Sequence, residues 1–356
     1  MKHEFPITRT ANPKEKPDPN TLKFGETFTD HMFIMEYTDG KGWHDGRIVP
    51  YGPLSLSPAA TCLHYGQEMF EGLKAYKTKE GKIQLFRPDM NAKRTNVTNE
   101  RMCIPTIDEE IYVDAIKALV NVEKDWIPDI PNTALYIRPF IIGDSPELGV
   151  KPAKHYIFGI ITCPVGPYYA NGLSPTKIYV EEEFVRAVMG GTGYAKIGGN
   201  YAGALKAQMK AHEKGYDQVL WLDGIERKYV EEIGTSNAFF VICDEIITAP
   251  LAGTILPGIT RNSVITLLKE WGLHVSERKL SIEDVFEAGE DGTLKEVFAT
   301  GTAAVISPVG ELSWGDRKIT VNKGEIGSIS QKLYDTLYGM QTGLVEDKHN
   351  WVFDIK

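Results

Sequence analysis

Cysteine is scarce in this chain of 356 residues. Cys62, Cys103, Cys163 and Cys243 lie far apart, with no CxxC pair and no Cys/His cluster at metal-ligand spacing, so neither a disulfide framework nor a zinc site is indicated. Long apolar runs are also missing: YIFGIITC, among the most apolar stretches, is far short of the ~20 residues a membrane helix needs. The opening MKHEFPITRTANPKEKPDPN lacks the apolar core of a signal peptide, which sets the expectation of a protein of the reducing cytoplasm. An excess of base is absent too. The net charge is -9, with acids and bases interspersed, which argues against nucleic-acid binding because phosphate contacts need clustered Lys and Arg.

Apolar residues make up 42% and charged residues 24%, a composition that packs a core, and the length suggests two domains. The first 26 residues, rich in Pro and Lys, read as a loosely held arm. Residues 27–165 follow as a smaller domain: HMFIMEYT and GRIVPYG as strands, a short helix starting at Ser57-Pro58, and FEGLKAYK and KIQLFRP as a hairpin. Two helices come next, the second with Ile111, Ala115, Leu119 and Val122 on one face, and then the strands TALYIRPFIIG and HYIFGIITCP. The Gly- and Pro-rich stretch 166–176 reads as the interdomain loop. Residues 177–356 form the larger domain, with YAGALKAQMKAHEKG as one helix, a largely antiparallel and barrel-like sheet, and a closing helix from Glu325 to about Gly343. The class is α+β, since βαβ alternation is irregular.

Gly190-Gly191-Thr192-Gly193-Tyr194-Ala195-Lys196-Ile197-Gly198-Gly199 gathers glycines around one lysine. It lacks the P-loop spacing and the order of a dinucleotide fingerprint. Two readings stay open from the residues alone: a surface loop with an incidental lysine, or a Schiff-base lysine. The second requires a shifted amine, because at a pKa of about 10.4 only roughly one lysine in a few thousand is neutral at pH 7. Apolar neighbours such as Val188, Met189 and Ile197, or a nearby cation, supply such a shift. Leu256-Pro257-Gly258-Ile259-Thr260-Arg261 leads a turn straight into a helix, which is either plain capping or an anion site on free amides. Arg87 in LFRP and Arg138 in YIRP are either solvated strand residues or anion ligands. Of Glu231 and Glu232 at a strand end, alternation allows one to point inward.

In order along the chain, LHYGQEMFEGLKAYK, LFRP, LYIRP, VGPYY, GYAKIGGNY, VLWLDG, EEIGTSN, ILPGITR and FATGTAAVISPV resemble the fold-type-IV enzymes of pyridoxal 5'-phosphate (PLP), and specifically the branched-chain amino acid aminotransferases. The resemblance covers almost everything after the arm. It implies a two-domain α+β fold with PLP between the domains, and a homodimer. The implied reaction is reversible, ping-pong transfer of the amino group of L-leucine, L-isoleucine or L-valine to 2-oxoglutarate, giving the branched 2-oxo acid and L-glutamate. It assigns Lys196 as the Schiff-base lysine and acid-base, Glu232 as partner of the pyridine nitrogen, and Tyr201 as partner of the phenolic oxygen. Arg87, Thr235 and the amides of Ile259 and Thr260 become the phosphate cradle, with Leu256 packed on the ring. For the substrate it implies Tyr136 and the amides of Thr302 and Ala303 at the α-carboxylate, Tyr65, Phe70 and Tyr168 around the side chain, and Arg138, with Arg186 as a lesser contributor, at the distal carboxylate of glutamate. D-amino acid aminotransferases and aminodeoxychorismate lyases share the Lys/Glu/Arg core, and YIRP and GTAA separate this chain from them. The CxxC that animal members carry after Gly-Thr-Ala is replaced by Ala304 and Ser307, so thiol control at that site is not expected.

Overall fold

The computed structural model describes residues 2–167 and 173–355. The chain divides into two compact units, Met1–Tyr168 with Ala195–Gly198 and Gly339–Lys356, and Tyr169–Tyr194 with Gly199–Tyr338. The lysine segment and the C-terminus thus count with the first unit, whereas the sequence reading puts both in the second domain.

The first unit is built on β1 (His31–Thr38), β2 (Gly42–Pro50), β3 (Glu68–Phe70), β4 (Leu73–Lys77), β5 (Ile83–Phe86), β6 (Ala134–Gly143) and β7 (His155–Val165). Its antiparallel order is β5-β4-β6-β7-β1-β2, with β3 beside β4 on β6. A C-terminal strand, Val352–Ile355, pairs with β5; nothing local announces it, because it is short and its partner lies far away in the chain. Three helices belong here: α1 (Thr61–Tyr65), α2 (Pro88–Met102) and α3 (Glu109–Val122). The short helix begins at Thr61 and not at Pro58; Ser57 instead accepts from the Ala59 amide in a local turn. Asp108 caps α3 by accepting from the Glu110 and Ile111 amides, a cap worth about 1 kcal/mol. Ala115 and Leu119 of α3 are fully buried with Leu135, Ile137 and Ile141 of β6 in one apolar core. Strand alternation therefore turns Tyr136 and Arg138 to the opposite face.

FEGLKAYK is not one strand. It breaks at Glu71-Gly72, where Glu71 N–H donates to Pro139 O at 2.8 Å, and a Cβ on Gly72 would lie 2.1 Å from the Tyr136 hydroxyl. The N-terminal arm is not loose either. Pro6 and Thr8 are joined to Ile48 by backbone hydrogen bonds, covering the open edge of β2. Thr10 N–H donates to His31 Nε2 at 2.9 Å, so the other ring nitrogen, 2.5 Å from Glu123, carries the proton. Lys14 donates to Asp30 and to the Phe28 and Thr29 carbonyls. A polar arm of this composition is anchored by hydrogen bonds, which apolar periodicity does not report.

The second unit contains β8 (Thr176–Val180), β9 (Gln218–Leu222), β10 (Val230–Ile233), β11 (Ser236–Ile242), β12 (Glu245–Thr248), β13 (His274–Glu277), β14 (Leu294–Gly301), β15 (Val305–Trp314) and β16 (Arg317–Thr320). Pairing runs β8-β9-β10-β11-β14-β15 and back to β8, a closed six-strand barrel. Ile178, Leu220, Phe240, Val297 and Leu312 are among its buried apolar residues. The pairs β8–β9, β8–β15 and β12–β13 are parallel and the rest antiparallel. The expected single helix after the lysine loop is two, α4 (Gly198–Ala202) and α5 (Leu205–Glu213), separated around Gly203. Helices α6 (Ile259–Glu270), α7 (Ile282–Glu290) and α8 (Ser328–Gln341) follow. Among the described residues no helix is long and apolar enough to cross a membrane.

Candidate functional site

In the first unit the site is organised around Lys196. Its flanking residues Ala195 and Ile197 are buried in the apolar core, and both sides of its backbone are held: its N–H donates to Thr98 Oγ1 on α2 at 3.1 Å, and its carbonyl accepts from Phe70 N–H at 3.0 Å. The amine lies 4.7 Å from the centre of the Phe70 ring. Burial first, then the positive charge of Arg94, pushes the Lys196 pKa down to about 8, against the opposing pull of Glu71 and Tyr136. At that pKa roughly one amine in ten is neutral at pH 7, against roughly one in a few thousand for an ordinary lysine, and it is the neutral form that acts as a nucleophile.

Arg94 points from α2 onto Glu71, which is fully buried. The guanidinium donates through Nε at 2.7 Å and NH2 at 2.9 Å, and the same carboxylate accepts from Asn91 at 2.7 Å and from the Gly72 amide at 3.1 Å. Burial alone would raise the Glu71 pKa, but Arg94, Lys196 and these donors hold it below the ordinary carboxylate range. On β6, Arg138 NH2 donates to the Tyr136 hydroxyl at 3.1 Å and its guanidinium stacks 4.8 Å from the Phe70 ring. Phe24, from the arm, meets the Tyr136 ring edge-on at 4.8 Å. Lys196, Phe70, Arg138, Tyr136 and Phe24 thus form a continuous series of cations and rings.

Arg87 stands at the entry to α2. It takes a left-handed backbone (φ 52°) at the turn into α2, its amide donates to Trp351 O, and its guanidinium stacks on the Trp351 ring at 4.9 Å. The strand reading of LFRP misses this turn; the arginine whose charge reaches Lys196 is Arg94, further along α2. Lys74, directly opposite Tyr136 in the β4–β6 ladder, is a second residue that motif reading passes over. Burial pushes its pKa to about 8. Tyr65 is 41% exposed and its hydroxyl donates to Leu148 O at 2.6 Å. Tyr168 lies outside the described residues.

In the second unit the site is organised around Glu232 on β10. Its carboxylate pairs with Arg186 Nε at 2.9 Å and accepts from Asn237 Nδ2 and the Leu256 amide, both at 3.0 Å. Arg186 also donates to the carbonyls of Gly193 and Thr254, which makes it a brace of the loop before Lys196. Glu231 is buried too, contrary to the alternation argument, because both faces of β10 are covered; burial raises its pKa, opposed by Thr254 and Arg186. The start of α6 has no side-chain cap. A Cβ at Gly258 would lie 2.0 Å from Asn237 Oδ1, so only glycine fits there, and Ile259 and Thr260 follow, both buried. Leaving the first amides of a helix without a side-chain acceptor is how an anion site is made. Thr235 stands exposed in the β10–β11 turn, and Tyr201 is half-buried on α4. Thr302 and Ala303 form the β14–β15 turn, followed by Val305 at φ 64°, a strained conformation for a β-branched residue and a mark of a constrained turn.

The sequence profile of the class IV amino-transferase family matches residues 68–312. The chain is 57% identical to the branched-chain-amino-acid aminotransferase 2 of Bacillus subtilis, covering 99% of this chain and 98% of that one. It is 53% identical to the branched-chain-amino-acid transaminase 1 of the same organism, covering 98% of both. Among solved structures, the branched-chain amino acid aminotransferase of Escherichia coli superposes with a TM-score of 0.75 at 27% identity, over 91% of this chain and 99% of that one. The T.th. branched-chain amino acid aminotransferase with pyridoxamine 5'-phosphate gives 0.74 at 27%, over 91% and 98%.

Proposed function

The chain belongs to the amino-transferase class IV family, among its PLP-dependent branched-chain-amino-acid aminotransferases, and from that premise we propose that Lys196 holds the cofactor. The reaction passes the amino group of L-leucine, L-isoleucine or L-valine to 2-oxoglutarate in two half-reactions. The observation that carries the assignment of Lys196 is a lysine fixed by its backbone on both sides, with its amine at a pKa of about 8. Each unit by itself carries groups of the kind a phosphorylated pyridine needs: a buried guanidinium at Arg94 in the first, and in the second a buried carboxylate at Glu232 and a helix start without a side-chain cap at Ile259. When bound, PLP supplies a carbonyl for the amine and an electron-withdrawing ring that stabilises negative charge at the substrate's Cα.

Each role then falls to a named residue. Lys196 binds the cofactor and, when released, moves a proton to and from Cα. Arg94, Thr235, the hydroxyl of Thr260 and the amides of Ile259 and Thr260 hold the phosphate. Glu232 keeps a proton on the ring nitrogen, Tyr201 meets the ring's phenolic oxygen, and Leu256 packs on the ring. The Tyr136 hydroxyl and the amides of Thr302 and Ala303 orient the α-carboxylate. Phe70 and Phe24 favour apolar side chains, since each buried methylene contributes about 0.8 kcal/mol. Arg138 receives the distal carboxylate of glutamate. A second copy of the chain covers the exposed apolar face of Leu63, Tyr65, Leu148 and Val150, giving a homodimer, and the enzyme works in the cytoplasm.

The test is a visible absorption spectrum of the PLP-loaded protein during sequential additions. L-leucine is expected to abolish the cofactor band and 2-oxoglutarate to restore it. A band that ignores leucine and answers to D-alanine would overturn the substrate assignment.

A further inference from the structure

Glu71, fully buried, accepts from four donors, and it stands where the two supports of Lys196 meet. Phe70, its chain neighbour, donates to the Lys196 carbonyl. Thr98, which accepts the Lys196 amide, lies one helical turn beyond Arg94 on the same face of α2. Asn91 and Arg94, one turn apart on that face, both donate to Glu71. The break between β3 and β4 therefore serves to bring one carboxylate against α2 at the place where Lys196 is fastened.

We propose that Glu71 is a positioning residue for the reaction: by holding Arg94 in a two-point ion pair it sets how much of the Arg94 charge reaches the amine of Lys196. Arg94 disfavours the ammonium form of Lys196 and Glu71 favours it. Among the described residues, Tyr136 and Arg138 of β6 also face Lys196, and Tyr112 of α3 faces Glu71. A lone Arg94 makes Lys196 a weak base, ill suited to take a proton from Cα; a lone Glu71 keeps it protonated and unreactive toward a carbonyl. The pair places it between these limits, as a group that must give and take a proton near neutral pH requires. The inference rests on the reading of Lys196 as the reactive lysine.

The test follows the Lys196 amine in the full-length, cofactor-free protein by carbon-13 NMR after reductive methylation, the resonance being assigned by its loss in Lys196→Arg. Glu71→Gln, which keeps the shape while replacing one acceptor oxygen by an amide donor, is expected to lower the titration midpoint by about one pH unit. Arg94→Gln is expected to raise it, and the double substitution to return it toward the wild-type value. A purely structural role predicts no such opposite signs. Midpoints that stay at the wild-type value in all three variants, or that move in the same direction in both single variants, overturn the proposal. Should Glu71→Gln fail to fold, the upward shift in Arg94→Gln decides alone: its absence sinks the claim that Arg94 acts on the amine. Failure of the underlying reading shows differently, as PLP attached to another lysine.

Discussion

Lys196 leaves a thermodynamic trace of its own, because its folded-state pKa is about 8 against about 10.4 in an unfolded chain. Below pH 8 both states hold the proton, and the native state bears the full cost of a buried ammonium. Between about 8 and 10.4 the native amine is neutral while the unfolded one still binds its proton, so stability rises with pH through this window and levels off above it. Lys74 shares the window, so the comparison has to be with Lys196→Met. In urea unfolding of the cofactor-free proteins, the wild type is expected to gain on the order of 3 kcal/mol relative to the variant across that range. Parallel pH curves for the two would mean that the amine is not desolvated. At this scale Lys196, Glu232, Tyr136 and Arg138 are legible as candidates from composition and motif. Arg94 is not, because LFRP offers a more conspicuous arginine, and the left-handed turn that sends the Arg87 side chain to Trp351 has no local signature.

Elements place these residues, and α6 does so most economically. Its N-terminus is kept open by Gly258, which packs on Asn237, while Asn237 ties Glu232 to the Leu256 carbonyl. Gly258→Ala drives a methyl into the Asn237 amide, which cannot retreat without breaking both bonds. A loss of about 2 kcal/mol in stability is expected. PLP affinity in a fluorescence titration should weaken roughly tenfold, the equivalent of about one charged hydrogen bond; unchanged affinity would remove the start of α6 from the phosphate site. The periodic helices α2 and α3 and the strands β1, β6 and β7 are readable because alternation and helical spacing persist over their whole length. The interruption at Glu71-Gly72 and the C-terminal strand on β5 are not. Each is fixed by a contact distant in sequence: the Tyr136 hydroxyl over Gly72, and β5 itself.

For the whole molecule, the class of fold follows from composition and from the lack of βαβ alternation, and the barrel from a run of short strands. Ring closure between β10 and β11 joins neighbours in sequence, whereas β8 with β15 joins strands near opposite ends of the second unit, a pairing no local pattern predicts. Val150 is 85% and Leu148 64% exposed, an apolar surface that a monomer seldom leaves open. The native protein is expected to elute with twice the chain mass in light-scattering chromatography, and Val150→Asp to shift it toward the monomer; a monomeric wild type would exclude the second copy. The proposed function stands on one lysine, Lys196, as the carrier of the cofactor. Its most direct test is borohydride reduction of the PLP-loaded protein followed by peptide mass mapping. A single phosphopyridoxyl label, on Lys196, is the expected result. A label on Lys74, the other buried amine of lowered pKa, or on no single lysine, would contradict it.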